Sequence, residues 1–248
     1  MERSQLFLST IDPRAGEIAR KAGVGLEIAE YCTAANADNF FDATDANVRR
    51  EIEGVPLRTL HGAFNELFPC AIDPLARRLA GYRYAQALEL AKKYHAGKLI
   101  LHGGYSPALY YPCWYIEQSV VFWKEFLKEN RVDTEICLEN VMEEEPEMLL
   151  SIVRQVNDPH LRLCLDVGHV NKYSKIPALE WMKRYGGWLS HLHLHNNDGS
   201  SDSHSALYEG TLPMAEIISG IGKNMTAALE IIELGDSVSW LEKNGLLK

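Results

Sequence analysis

The sequence predicts an α/β chain folded as a single (β/α)8 TIM barrel over residues 1–248. Three observations predict it. Short aliphatic runs alternate with longer amphipathic ones about eight times, in units of about 30 residues, which is the pattern of parallel strands joined by helices. The length of 248 residues suits one barrel of this kind. Most of the strand-like runs end in an acid or a histidine, and barrels of this class hold their active sites at the C-terminal ends of their strands. A doubly wound open sheet is the rival architecture. No glycine-rich dinucleotide loop follows the first strand, which weakens that rival.

The elements follow in order. Gln5 to Ser9 reads as the first strand, and Asp12-Pro13 as a capped helix start running to Gly23. Val24 to Tyr31 is the second strand and carries Glu27. A polar stretch from Thr33 to Asp45 precedes a helix over Ala46 to Glu53, and Leu57 to Ala63 is the third strand. Asp73-Pro74 repeats the cap-proline start of a long helix to about His95. Lys98 to Gly103 is the fourth strand, and an aromatic, proline-containing loop leads into a helix over Tyr115 to Glu129. Glu135 to Val141 is the fifth strand. Pro146 opens a helix with apolar residues at helical spacing, and Leu161 to Val167 is the sixth strand. A helix over Pro177 to Tyr185, a seventh strand from Leu189 to His195, a helix over Leu212 to Ile221, an eighth strand from Ala227 to Ile232 and a closing helix over Ser239 to Lys243 complete the reading.

Composition bounds the class. The chain is 46% hydrophobic and 24% charged, with a net charge of -9, an ordinary globular balance whose acidity disfavours nucleic acid and anionic membrane as partners. The five cysteines (Cys32, Cys70, Cys113, Cys137 and Cys164) show no metal-type spacing and read as buried free thiols of a reducing compartment. The N-terminal apolar run is too short for a signal peptide, and no run reaches the length of a membrane span, so a cytoplasmic protein is expected. The sequence leaves a homo-oligomer open.

The chemistry concentrates in LSHLHLHNNDGSSDSHSA, residues 189–206, which holds His191, His193, His195 and His204 beside Asp198 and Asp202. In an extended run the first three imidazoles share one face, where they are poor core filler and good metal ligands. Other strand ends supply matching groups: His61, His102, Glu139 followed by Asn140, Asp166 with His169 just beyond, and Glu230 with Glu233 beyond. Alternation puts Ile136 and Leu138, the leucines at 161, 163 and 165, and Leu229 and Ile231 on the opposite faces, against the outer helices. Acids and imidazoles meeting inside a barrel call for a cation. A carboxylate–imidazole set without thiolate suits Zn, Mn, Co or Fe(II) better than Ca or Mg. Taken singly, each group has a plainer reading. Glu27 and Glu233 read as caps or surface acids, His61 and His102 as hydrogen-bonded neutral histidines, His95 and His160 as surface residues, and His191 as a structural partner deeper in the barrel. Phe64, Tyr105, Trp114 and Tyr115 are candidates to wall a substrate pocket, or ordinary loop packing.

In order, the fragments LHGAF, LHGG, CLENV, CLDVGH, HLHNND, DSH and LEI resemble the xylose-isomerase-like TIM-barrel superfamily, which includes sugar isomerases and epimerases, inosose and dehydroshikimate dehydratases, and endonuclease IV. Likeness to the epimerases implies a metal quartet of Glu139, Asp166, His193 and Glu230, with the two glutamates as acid/base catalysts and His169 as a catalytic residue holding substrate. Likeness to endonuclease IV implies a three-zinc cluster on His61, His102, Glu139, Asp166, His169, His193, Asp202, His204 and Glu230. The chain departs from the nuclease pattern. Glu143 to Glu145 would repel a phosphate backbone at the mouth, a glycine-rich loop is missing there, and the chain is short. It also departs from the free-ketose epimerases, which often carry an arginine where His204 stands. The resemblance therefore implies a divalent-metal isomerase or epimerase working on a small sugar or polyol by proton transfer through an enediolate. Phosphodiester hydrolysis, polyol dehydration and a non-catalytic sugar- or metal-binding barrel are the alternatives. No cluster of lysine or arginine marks a phosphate site, with Lys172 and Lys175 after the sixth strand the only nearby candidates, which points to an unphosphorylated substrate.

Overall fold

A computed structural model describes residues 1–130 and 133–248. Strands β1 (Leu6–Ser9), β2 (Gly25–Ile28), β3 (Arg58–His61), β4 (Lys98–His102), β5 (Glu135–Glu139), β6 (Leu161–Asp166), β7 (Leu189–Leu194) and β8 (Thr226–Leu229) pair in sequence order, all parallel, and β8 closes on β1. The helices are α1 (Ala15–Ala22), α2 (Ala34–Ala37), α3 (Phe41–Ile52), α4 (Pro74–Lys93), α5 (Pro112–Glu129), α6 (Glu147–Val156), α7 (Val167–Tyr173), α8 (Ala178–Tyr185), α9 (Met214–Ser219) and α10 (Ser237–Lys243). This is the (β/α)8 barrel, not the open sheet.

The alternating pattern explains the layers. Leu6 and Leu8, Leu26 and Ile28, Leu99 and Leu101, Ile136 and Leu138, and their counterparts on the other strands face outward into one continuous core beneath the helices. Full burial of each such side chain contributes roughly 1.5–3 kcal/mol. The inward faces are different. Ile100, Cys137 and Cys164 form a small apolar layer of their own in the middle of the barrel. One step along each strand toward its C-terminus, the inward positions turn polar, and the site begins there.

Several elements depart from the sequence reading. The polar stretch before Ala46 is largely helical, as α2 and the first turn of α3, because Thr44, Val48 and Ile52 bury one stripe of α3 at i, i+4 spacing. Helix α5 starts at Pro112 rather than Tyr115, since proline in the first turn is already set for the helix. No sequence signal marks α7. It starts directly at the end of β6, where the Asp166 carboxylate accepts from the His169 backbone N–H at 2.7 Å. Asp12 does not cap α1 as expected. Its carboxylate accepts from Arg14 N and, across the closure of the barrel, from Leu234 N, each at 2.8 Å. Asp73 does cap α4, through Leu75 N at 2.7 Å. All five cysteines are free, but Cys113 is exposed on α5 and Cys32 only half-buried, so the expectation of buried thiols holds for Cys70, Cys137 and Cys164 alone. Among the described residues, no helix is long and apolar enough to cross a membrane.

Candidate metal centre at the barrel mouth

Four strands each bring one potential donor atom to the axis. Glu139 is the last residue of β5, Asp166 the last of β6, His193 the fifth residue of β7, and Glu230 follows directly on β8. His193 Nδ1 lies 2.9 Å from Glu139 Oε1, 3.2 Å from Glu230 Oε2 and 3.9 Å from Asp166 Oδ2. One oxygen or nitrogen from each of the four falls within 4.8 Å of all the others. The side chains of Glu139, Asp166 and His193 are fully buried, and that of Glu230 is nearly so.

The other histidines surround this quartet. His61 turns Nε2 toward Glu139 Oε2 at 3.1 Å, and its Nδ1 donates to the Gly62 carbonyl at 2.9 Å. His102 Nε2 lies 3.5 Å from the same Glu139 oxygen, with the Phe64 ring stacked on it at 4.3 Å. His169 donates from Nδ1 to the Asn140 carbonyl at 2.8 Å and faces Asp202 Oδ2 through Nε2 at 3.1 Å. His204 reaches Asp202 Oδ2 at 3.5 Å, hydrogen-bonds the Glu230 carbonyl through Nδ1 at 2.8 Å, and holds a left-handed backbone, φ 45°. Residues other than glycine take that conformation rarely and, when they do, often at functional positions. His195 sets its Nε2 against both oxygens of Asp166, at 3.0 and 3.1 Å, and stacks on His204 at 3.9 Å. Asn140 locks β5 to β6, donating to the Asp166 carbonyl at 3.0 Å and accepting from Asp166 N at 2.9 Å.

The electrostatics follow from burial and charge. Burial works against ionisation of Glu139, but His193 and then His102 outweigh it and hold the carboxyl well below its usual range. Burial opposes the charge of Asp166 too, yet His169 and His195 bring it to about 2. His169 is pushed up to about 10: burial disfavours its charge, and Asp166, Asp202 and Glu139 more than compensate. His204 rises to about 9 against burial, through Asp202 and Glu230. Burial wins at His102, which falls to about 4 despite Glu139. Among the described residues, no lysine or arginine pairs with Glu139, Asp166, Asp202 or Glu230. Protons on imidazoles are what balance these acids when no metal is bound.

The donor set fits a divalent cation. Three carboxylates and an imidazole converge in a buried space without a fixed positive side chain, and such a set suits Zn, Mn or Co. Three neighbouring groups also cluster within the same reach: His61 with Glu139 and His193, His169 with His195, Asp202 and His204, and Glu27 with His191 and His193.

The structure therefore brings together all nine residues singled out in the sequence at the strand ends and in the segments that follow them. Others it places elsewhere. Glu27 is neither a cap nor a surface acid: it is fully buried on β2, between His191 and His193. Glu143 is not an exposed acid. It is buried, accepting from the Tyr115 hydroxyl at 2.7 Å and Val141 N at 2.7 Å, and burial raises its pKa; only Glu144 and Glu145 are exposed. Tyr115 is wholly buried and does not wall a pocket, Tyr105 packs against it at 5.0 Å, and Trp114 donates its indole N–H to the Cys70 carbonyl. Phe64 alone of the four aromatics stacks on a site histidine. The Lys172 amine bonds the Ser200 carbonyl, and Lys175 is exposed. Glu233, His95 and His160 are exposed. Sequence reasoning took Glu27 for a cap or surface acid, and it named His195 among the imidazoles of one strand face without giving it a place in the ligand set. Both stand on the inward parity of their strands, which is the signal that finds them.

Comparisons with known proteins place this geometry. A family described as a xylose isomerase-like TIM barrel matches residues 17–240. An uncharacterized protein of Methanocaldococcus jannaschii is 27% identical over 204 residues, 77% of this chain and 68% of its own. A Thermus thermophilus protein, from a crystal soaked with ZnCl2, superposes with a TM-score of 0.80 at 24% identity over 97% of each chain. A D-tagatose 3-epimerase-like protein does so with a TM-score of 0.75 at 22% identity, over 97% of this chain and 96% of its own. At these identities the structural likeness speaks for the fold. The family match spans most of the chain, and the protein belongs to the xylose isomerase-like TIM barrel family.

Proposed function

We propose that the protein is a metal-dependent isomerase or epimerase of a small polyhydroxylated carbonyl compound, with Glu139, Asp166, His193 and Glu230 as the metal ligands. The observation that carries this reading is the placement of two glutamates on one imidazole: Glu139 and Glu230 approach His193 Nδ1 at 2.9 and 3.2 Å from different strands. When bound, the cation would polarise the substrate carbonyl and offset charge developing on its oxygen. Glu139 takes the proton from the carbon next to that carbonyl, giving an enediolate, and Glu230 returns one from the other side, or the two exchange roles. His169 has its Nδ1 committed to the Asn140 carbonyl and presents its Nε2 edge toward Asp202, a position from which it can hold a substrate hydroxyl. Phe64 covers His102 and limits water on that side. The epimerase-like structural neighbour supports a sugar substrate, and the zinc-soaked neighbour supports a divalent metal.

The test is solvent hydrogen exchange. In D2O with the metal-loaded protein, a substrate from a panel of ketoses and cyclic polyhydroxy ketones incorporates deuterium at the carbon beside its carbonyl. Glu139→Gln abolishes that exchange while metal remains bound; exchange that persists in the variant refutes the assigned role. A second reading, phosphodiester hydrolysis by a metal cluster, draws on the two additional ligand groups around His61 and His204. About three zinc ions per chain with cleavage of abasic duplex DNA would favour it; one ion and no cleavage would favour the isomerase.

A further inference from the structure

Below the quartet the barrel holds a second polar layer that the ligand set does not use. Glu27 is fully buried on β2. Its Oε2 accepts from the Thr59 hydroxyl at 2.9 Å and lies 3.2 Å from His191 Nε2, and its Oε1 lies 3.1 Å from His193 Nε2. The His191 ring is fixed from its other side, with Nδ1 2.6 Å from the Thr226 hydroxyl, and stands edge-on to His193 at 5.4 Å. Among the described residues, no lysine or arginine reaches Glu27, and the Nε2 atoms of His191 and His193 meet no other acid. An acid in such a place is costly unless another group uses its charge.

We propose that Glu27 is a positioning residue for His193. From the floor of the site its carboxylate holds the Nε2 edge of that ring, so that Nδ1 points into the Glu139–Asp166–Glu230 group. The inference rests on the metal-centre reading above. Histidine ligands commonly give their second ring nitrogen to a carboxylate, which fixes the tautomer and the ring angle and strengthens the ligand, and loss of that partner weakens metal binding 10- to 100-fold. Thr59 on β3 and Thr226 on β8 hold Glu27 and His191 in turn, so the position of His193 is set by residues of four strands.

The test titrates zinc alone against a chromophoric chelator, on wild-type protein and on Glu27→Gln, which keeps the volume and one acceptor. Zinc affinity falls 10- to 100-fold in the variant, while the near-ultraviolet circular dichroism of the metal-free protein is unchanged. Long-range 1H–15N NMR of the zinc-loaded wild type gives a second readout that needs no variant: His193 keeps its proton on Nε2 and carries zinc on Nδ1. A folded Glu27→Gln that binds zinc within twofold of wild type, or zinc found on Nε2 of His193, overturns the role of Glu27 and leaves the metal centre standing. A wild type that binds no divalent metal overturns both.

Discussion

Replacing Gly168 by alanine tests how tightly the site is built. Gly168 is the second residue of α7, and its backbone is not left-handed, so alanine fits the helix there and favours it by about 1 kcal/mol. The space decides otherwise. A Cβ at this position would come closer than 3.0 Å to Cε1, Nδ1 and Nε2 of His195. That ring has nowhere to go: both Asp166 oxygens hold its Nε2, and His204 covers its face at 3.9 Å. Overpacking of this kind costs about 1–3 kcal/mol, so the net loss of stability is roughly 0–2 kcal/mol. In a chain of this size that is a fall in Tm of up to about 8 °C. The larger consequence is local. A displaced His195 releases the Asp166 carboxylate, and zinc affinity drops 10- to 100-fold, as for other lost partners of metal ligands. Thermal melts and zinc competition titrations measure the two effects. A Gly168→Ala protein that is more stable than wild type and binds zinc within twofold of it would refute the reasoning.

Further expectations follow from the same contacts. Leu192→Ala, on the outer face of β7, opens a cavity in the helix-facing core and costs about 2–5 kcal/mol while leaving zinc affinity within twofold; a large affinity loss would mean that the two faces of the strand are not independent. Asp12→Asn removes the charged acceptor that ties the loop after β1 to Leu234 and costs about 1–3 kcal/mol at neutral pH. The Asp12 carboxyl is buried, but hydrogen bonds from Arg14 and Leu234 hold its pKa below the usual 3.8, so its contribution is present above that pH and is lost as pH falls through the depressed value. The difference in denaturation midpoint between variant and wild type should therefore begin to shrink below about pH 4 and close only below the depressed Asp12 value. Zinc binding displaces the protons held at the raised His193 and its neighbours, so calorimetry in buffers of different ionisation enthalpy should show proton release at pH 7 and an affinity that rises from pH 6 to 8; uptake of protons would contradict the charge balance. Free zinc at about 1,000 times its Kd adds about 4 kcal/mol, or roughly 8–16 °C in Tm, and chelation reverses it.

The barrel was legible because its strands carry two independent signals. Leu161, Leu163 and Leu165 face the helices while Arg162, Cys164 and Asp166 face the axis, and the same parity recurs on β5 and β8. Elements whose stability comes from distant packing were less legible. The stripe of Thr44, Val48 and Ile52 is too sparse to outweigh the polar residues around it, and α7 begins without a loop between strand and helix. The site was readable from the strand ends, since every group lies at the end of a strand or in the segment that directly follows one. Its depth was not. Glu27 looks like any single acid between Leu26 and Ile28 until closure of the barrel brings β7 across to it. Glu143 looks like one of three surface acids until Tyr115, 28 residues away, reaches its carboxylate.

Anomalous diffraction from crystals of the zinc-loaded protein tests the central claim most directly. The account predicts a zinc peak roughly 2.0–2.2 Å from Nδ1 of His193 and from one carboxylate oxygen each of Glu139, Asp166 and Glu230. A zinc-loaded crystal with no peak among those four side chains would contradict it.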